Sequence, residues 1–210
     1  MKEHQIKSLL ISYLLENTPD LILGSEVPFL FGSRRADIIS IQDEIAIVYE
    51  IKSAKDSLEK LVYQIEGYKS YFDYCFIVCE EANLNQIRKT IKKDVGIVLV
   101  DNHSKIEFIR KSKRFKLHDK ISLASTIPRD ILKKMIDNNT IRTKIKLCQA
   151  VSEKYPLQFI RNSSRKHLLQ SYHSRTQLLK SELGKQITAD DIITITRAIP
   201  NSYINNHYED

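Results

Sequence analysis

Asp37, Glu50 and Lys52 are the residues whose types and spacing could do chemistry. Asp37 stands in the run Arg35-Ala36-Asp37-Ile38-Ile39-Ser40-Ile41, and Glu50 and Lys52 close the run Ile45-Ala46-Ile47-Val48-Tyr49-Glu50-Ile51-Lys52. Two apolar, β-branched runs around the polar break Gln42-Asp43-Glu44 predict a β-hairpin. A two-residue turn at Asp43-Glu44 places Asp37 opposite Glu50, with Cβ atoms roughly 4.5–5.5 Å apart. Carboxylates that close repel each other unless a positive group lies between them. A hard divalent cation suits the place, since Mg²⁺ takes oxygen ligands and commonly uses one or two carboxylates. Lys52 is two residues past Glu50 and shares its strand face. Two acids and a cation on one sheet face are a site for phosphodiester hydrolysis. The simpler readings are two strand-end carboxylates facing water, and a Lys52 that only pairs with Glu50 or Asp37.

The next segment carries a second pattern. Leu58, Leu61, Ile65, Tyr68 and Phe72 recur at helical spacing. Asp56, three residues before Glu59, predicts a capping box at the helix start. Gln64 and Tyr68 are four apart and share a helix face. The apolar run Tyr71–Cys79 predicts a buried strand. Asp37, Glu50-x-Lys52, the helix with Gln64-xxx-Tyr68 and the following strand together resemble the PD-(D/E)XK nuclease superfamily, in its RecB-like subset with a Gln-xxx-Tyr motif. Ala36 stands where the nominal motif has proline. The resemblance covers about residues 1–110 and is similar to that of small bacterial proteins built on this core.

The resemblance implies a restriction-endonuclease-like mixed sheet and hydrolysis of phosphodiester bonds with Mg²⁺ or Mn²⁺. It implies Asp37, Glu50 and the backbone carbonyl of Ile51 as metal ligands. Lys52 would orient the attacking water or stabilise charge developing on phosphorus, while Gln64 and Tyr68 would lie beside the site. Tyr68 also fits the apolar stripe of its helix, so a core role is an equal alternative. The family often adds an acid from its first helix, for which Glu3 is the candidate and Glu26 a second. DNA is preferred to RNA as substrate from the family's tendency. Some RecB-like nucleases hold an iron–sulfur cluster, but Cys75, Cys79 and Cys148 offer no ligand set for one. Arg34 and Arg35 precede the Asp37 strand and could clamp a phosphate bidentately; exposed turn arginines are the alternative.

The elements that must hold these residues read as follows. Residues 2–16 predict an amphipathic helix. Leu21–Leu23 and Glu26–Phe31 predict strands broken at Gly24-Ser25, and Gly32-Ser33-Arg34-Arg35 a turn. After the hairpin, the Gln64 helix and the strand through Cys79 come a helix over 83–93, a strand over 96–100, a hairpin loop and a strand over 105–110. This is an α/β mixed-sheet core flanked by helices and followed by an all-helical C-terminal region. Helices are expected from Ser125 or Thr126 to about 137, over 141–154, over 164–182, and from Thr188 to Pro200. The division expected is a nuclease-like domain over 1–110, a basic connector over 111–125, a helical domain over 126–200 and a mobile tail over 201–210.

Charge follows the same division. Residues 111–180 hold 17 Lys/Arg against 4 Asp/Glu, whereas residues 1–110 hold 14 against 17. A metal-chelating part followed by a polyanion-binding part would produce this split, with Lys113, Arg114 and Lys116 as candidate phosphate contacts. A solvated helical face would produce it too. No apolar run reaches the roughly 20 residues of a membrane span, the start does not read as a secretory signal, and unpaired cysteines fit a reducing cytoplasm. The histidines show no metal spacing and no Gly-rich phosphate loop is present, so ATP-driven activity is not expected. The leading expectation is a metal-dependent nuclease. Its rival is a nuclease-fold module without turnover that binds DNA or docks a partner protein or a second copy within a repair or phage-defence complex.

Overall fold

The computed structural model describes residues 1–184 and 186–196. A six-stranded sheet runs in sequence order: β1 (Ile22–Phe29), β2 (Arg34–Gln42), β3 (Ile45–Lys52), β4 (Tyr74–Glu80), β5 (Gly96–Val100) and β6 (Ile106–Arg110). β1, β2 and β3 pair antiparallel, β3 to β5 parallel, and β6 returns antiparallel. Parallel neighbours need a crossover, supplied by α2 (Leu61–Lys69) and α3 (Glu81–Thr90). The α/β class, mixed sheet and helical C-terminal region are those the sequence predicts. Among the described residues, no helix is long and apolar enough to cross a membrane.

The hairpin takes the expected register, with Ile38 opposite Tyr49 and Gln42 opposite Ile45. Asp43 and Glu44 both have positive φ, 48° and 62°. That is the requirement of a type I′ turn, whose twist matches the strands it joins.

Several boundaries differ from expectation. β1 is one strand; the interruption is a positive φ of 52° at Glu26, not a break at Gly24-Ser25. Arg34 and Arg35 already belong to β2. Asp56 caps no helix: its carboxylate accepts from the Ser53 amide at 2.7 Å, and α2 starts only at Leu61. Within the expected connector, Asp119 accepts from the Ser122 amide and starts a short helix, α4 (Lys120–Ala124). Then follow α5 (Arg129–Ile136), α6 (Lys144–Lys154), α7 (Leu157–Glu182) and α8 (Ala189–Thr194). Thr188 and Asp191 form the expected capping box. The tail over 201–210 and the helix end at Pro200 lie outside the described residues.

The sheet separates two apolar layers. One face, with Ile39, Val48 and Ile77, packs against α2, α3 and the helices after residue 120, through residues such as Leu123, Leu147 and Ile160. The other, with Ile38, Tyr49 and Val78, packs against α1 (Glu3–Asn17) and α8. α7 joins the two layers, contributing Leu168 to the first and Leu179 to the second. It passes over the free edge of β1, where Thr176 Oγ1 accepts from the Leu23 amide at 2.9 Å and donates to its carbonyl oxygen at 3.1 Å. Gly24 permits the approach, since a Cβ there would stand 2.8 Å from the Tyr172 ring. The charge boundary near residue 110 is therefore not a boundary of the core.

Candidate active site

β2 and β3 separate after the Ile38–Tyr49 pair, and the next facing residues are Asp37 and Glu50. In place of a ladder bond, the Ile51 amide donates to Asp37 Oδ2 at 2.8 Å. Glu50 is buried, 2% exposed. A buried carboxylate needs partners, and three side chains supply them. Lys52 Nζ and Gln64 Nε2 donate to Oε1 at 2.7 and 2.5 Å, and the Tyr68 hydroxyl donates to Oε2. The Arg35 carbonyl lies 3.3 Å from the same hydroxyl. Tyr68 packs its ring on Phe29 and Phe72 while its oxygen meets Glu50. Burial, and then the Glu50 charge, push the Tyr68 phenol far up, so it stays a neutral donor.

Asp37 belongs to a second, contiguous group. Glu3, Glu26 and Asp37 each place an oxygen within 4.8 Å of the others. Glu50 lies outside that set, which differs from the pair expected to hold a metal. The first-helix acid and the β1 acid, weighed as alternatives in the sequence, are both present. Lys7 donates to Glu3 Oε1 at 2.7 Å and to Glu26 Oε1. Burial lowers the Lys7 ammonium, but the Glu26 and Glu3 carboxylates outweigh it and hold the group above its ordinary value. Asp37 moves the other way. Burial, then the Glu50 charge, raise it to about 7 against the Ile51 amide and Lys7.

Lys7 is the residue that sequence reasoning missed. Its signal was the Glu3–Lys7 spacing of one helical turn, which put a cation beside any acid that Glu3 joined. Glu26 was locatable from strand register, since β1 pairs Ser25 with Ile38 and Val27 with Ala36, leaving Glu26 facing Asp37.

The arginines divide. Arg35 is 67% exposed, with Nη1 3.6 Å from Glu26 Oε2 at the rim of the acidic group. Arg34 lies along α2, its guanidinium over the Tyr63 ring at 3.9 Å and donating to the Tyr63 carbonyl at 3.0 Å. Gly67 makes room for it, because a Cβ there would stand 2.4 Å from Nη1. Lys113, Arg114 and Lys116 are exposed and lie away from this group, near the start of β4, where the Phe115 amide meets the Asp73 carbonyl. Part of the basic segment is unavailable to any ligand. Arg165 and Arg175 are 0% and 4% exposed, and Arg165 pairs with buried Asp73.

A family model described as bacteriophage P4 protein cII matches residues 1–196. Protein cII of Enterobacteria phage P4 is 26% identical over 209 residues, covering 94% of this chain and 79% of that protein. A solved structure of a protein of unknown function from Silicibacter pomeroyi aligns at a TM-score of 0.49 and 14% identity, over 88% of this chain and 97% of that one.

Proposed function

The chain belongs to the bacteriophage P4 protein cII family; from the site geometry alone, we propose that it is a metal-dependent nuclease of the PD-(D/E)XK type. The observation that carries the reading is convergence. Glu3 from α1, Glu26 from β1, Asp37 from β2, Glu50 and Lys52 from β3, and Gln64 and Tyr68 from α2 meet in one place. The oxygen set of Glu3, Glu26 and Asp37 fits a hard divalent cation, Mg²⁺ or Mn²⁺. When bound, such an ion supplies a polarised water and neutralises charge on the scissile phosphate. Glu50 fixes the Lys52 ammonium, Gln64 and Tyr68 fix Glu50, and Lys52 would offer a proton donor to a phosphate oxygen. Arg35, exposed at the rim, suits a phosphate of the strand. The exposed cations of residues 111–180 would hold nucleic acid, with DNA preferred. The free, buried cysteines suit a cytoplasmic protein.

Cleavage of linear, supercoiled and single-stranded DNA with Mg²⁺ or Mn²⁺ tests this. Wild type is expected to cut at least one substrate, and Asp37→Ala and Lys52→Ala to lose that activity. No cleavage by wild type, or equal cleavage by both variants, would sink the reading.

One observation favours a second reading, a nuclease-fold module without turnover that binds DNA or docks a partner or second copy in a repair or defence complex. Lys7 already pairs with Glu3 and Glu26, and Lys52 with Glu50. Calorimetric titration of Mn²⁺ into wild type separates the two, since the second reading predicts no metal affinity.

A further inference from the structure

A cavity of about 300 Å³ opens at the other end of the strands from the acidic group. Its floor is Asp73, just before β4, whose Oδ2 accepts from the Ala46 amide of β3 at 2.9 Å. Ala46 precedes Glu50 by four residues on that strand, a distance of roughly 13 Å at about 3.3 Å per residue. Arg161 lines the cavity from α7, and Arg114 and Lys116 line it from the strap after β6.

The charges do not cancel there. Asp73 Oδ1 accepts from Arg161 Nε and Nη2 at 3.0 and 2.7 Å, and its Oδ2 accepts from Arg165 Nε at 3.2 Å. The one carboxylate is thus shared by two guanidiniums, and Arg114 and Lys116 add two more cations with no acid among the other lining residues. Arg161 is held rigidly, its Nη2 also donating to the Glu44 carbonyl at 3.0 Å. Its side chain is 8% exposed, and Nη1 has no intramolecular hydrogen-bond partner among the described residues. His118, on the same wall, is lowered by burial and stays neutral, with Nε2 3.0 Å from the Phe72 carbonyl. Leu157 and Gln158 also line the cavity, and they open α7, a helix of 26 residues whose N-cap, Pro156, offers no side-chain acceptor. The first amides of such a helix point outward and favour an anion.

We propose that this cavity binds a phosphoryl group, as a site distinct from the acidic one. The volume is ample, since one water takes a share of roughly 30 Å³ in the liquid. A tetrahedral oxyanion would accept from Arg161 Nη1, pair with Arg114 and Lys116 at the rim, and meet the opening amides of α7. The source of the phosphoryl group is either a free or terminal phosphate or the diester of a nucleic-acid strand. Phosphate binding here does not rest on the nuclease reading, because none of these residues belongs to the acidic group; only the diester outcome shares Arg114 and Lys116 with the strand-holding role given above.

Isothermal titration of the full chain with inorganic phosphate, in EDTA and against chloride at equal ionic strength, tests it. Wild type is expected to bind, and the double variant Arg114→Ala/Lys116→Ala to bind about tenfold more weakly or worse. Both side chains are exposed, and an unchanged urea midpoint checks that the variant folds. Asp37→Ala is expected to bind phosphate as wild type does, which keeps the outcome separate from that of the cleavage assay. A second arm uses one single-stranded oligonucleotide with and without a 5′-phosphate. Loss of their difference in the double variant supports a terminal phosphate, and equal weakening of both supports the diester. No phosphate-specific binding by wild type, or undiminished binding by the double variant, overturns the proposal.

Discussion

Replacing Asp37 by Asn should stabilise the protein at pH 8 while leaving it nearly unchanged at pH 4. The Asp37 carboxyl is raised from its ordinary 3.8 to about 7, by burial first and the Glu50 charge second. A raised carboxyl favours folding fully below the unfolded value, near 3.8, and loses that contribution as pH climbs to about 7. The interval is about three pKa units, and each unit is worth about 1.4 kcal/mol, so the ionised carboxylate costs the folded state up to about 4 kcal/mol. Asn keeps an oxygen for the Ile51 amide and carries no charge. The expected gap in unfolding free energy is near zero at pH 4, about 2 kcal/mol at pH 5.5, and about 4 kcal/mol from pH 7 upward. Urea unfolding of both proteins in EDTA at these pH values measures it. The Glu50→Gln background should shrink the gap, because one source of the shift is gone. A gap that does not change with pH, or an Asn variant less stable than wild type at pH 8, would refute the reasoning. Confirmation would mean that stability is spent at this position, as at functional sites generally.

Three further outcomes are expected. Asp73→Asn leaves Arg161 and Arg165 buried without their counter-ion; a loss of about 3–5 kcal/mol is expected by urea unfolding at pH 7. That loss should shrink in acid, since Arg165, the Ala46 amide and Arg161 together hold the Asp73 carboxyl below its ordinary value despite burial, and its stabilisation disappears as pH falls through the lowered value. Thr176→Val leaves the Leu23 amide and carbonyl without their side-chain partner and should cost about 1–3 kcal/mol by the same measurement. Gly67→Ala gains up to about 1 kcal/mol in helix propensity but drives its Cβ into the Arg34 side chain, so stability should change little while a changed Tyr63 fluorescence reports the lost stacking.

The parts of the fold legible in sequence are those fixed by local pattern. The hairpin register follows from two β-branched runs around a two-residue turn, and α8 from Thr188 and Asp191. The start of α7 was hidden for a physical reason. Arg161, Ser164 and Arg165 face the interior, so the helix buries polar residues where a periodicity search expects apolar ones. The partner of both arginines, Asp73, stands 88 residues before Arg161, and no local window links them. The same pairing explains why net charge overstated the basic surface. In the site, Lys52, Gln64 and Tyr68 were legible because each lies close to Glu50 in the chain or one helix away. The trio of Glu3, Glu26 and Asp37 depends on how α1 crosses the sheet end, which sequence spacing does not encode.

The passage of α7 over β1 decides what becomes of a shortened chain. A fragment ending near residue 110 would retain all six strands, yet the Leu23 amide and carbonyl would lose Thr176, and the apolar layer beneath α4 to α7 would lie bare. An open strand edge beside a bare apolar face is a template for pairing with another copy. Such a fragment is expected to self-associate instead of behaving as a smaller version of the protein. The acidic and basic halves are therefore expected to stay folded and monomeric only as one piece, however cleanly their charges divide.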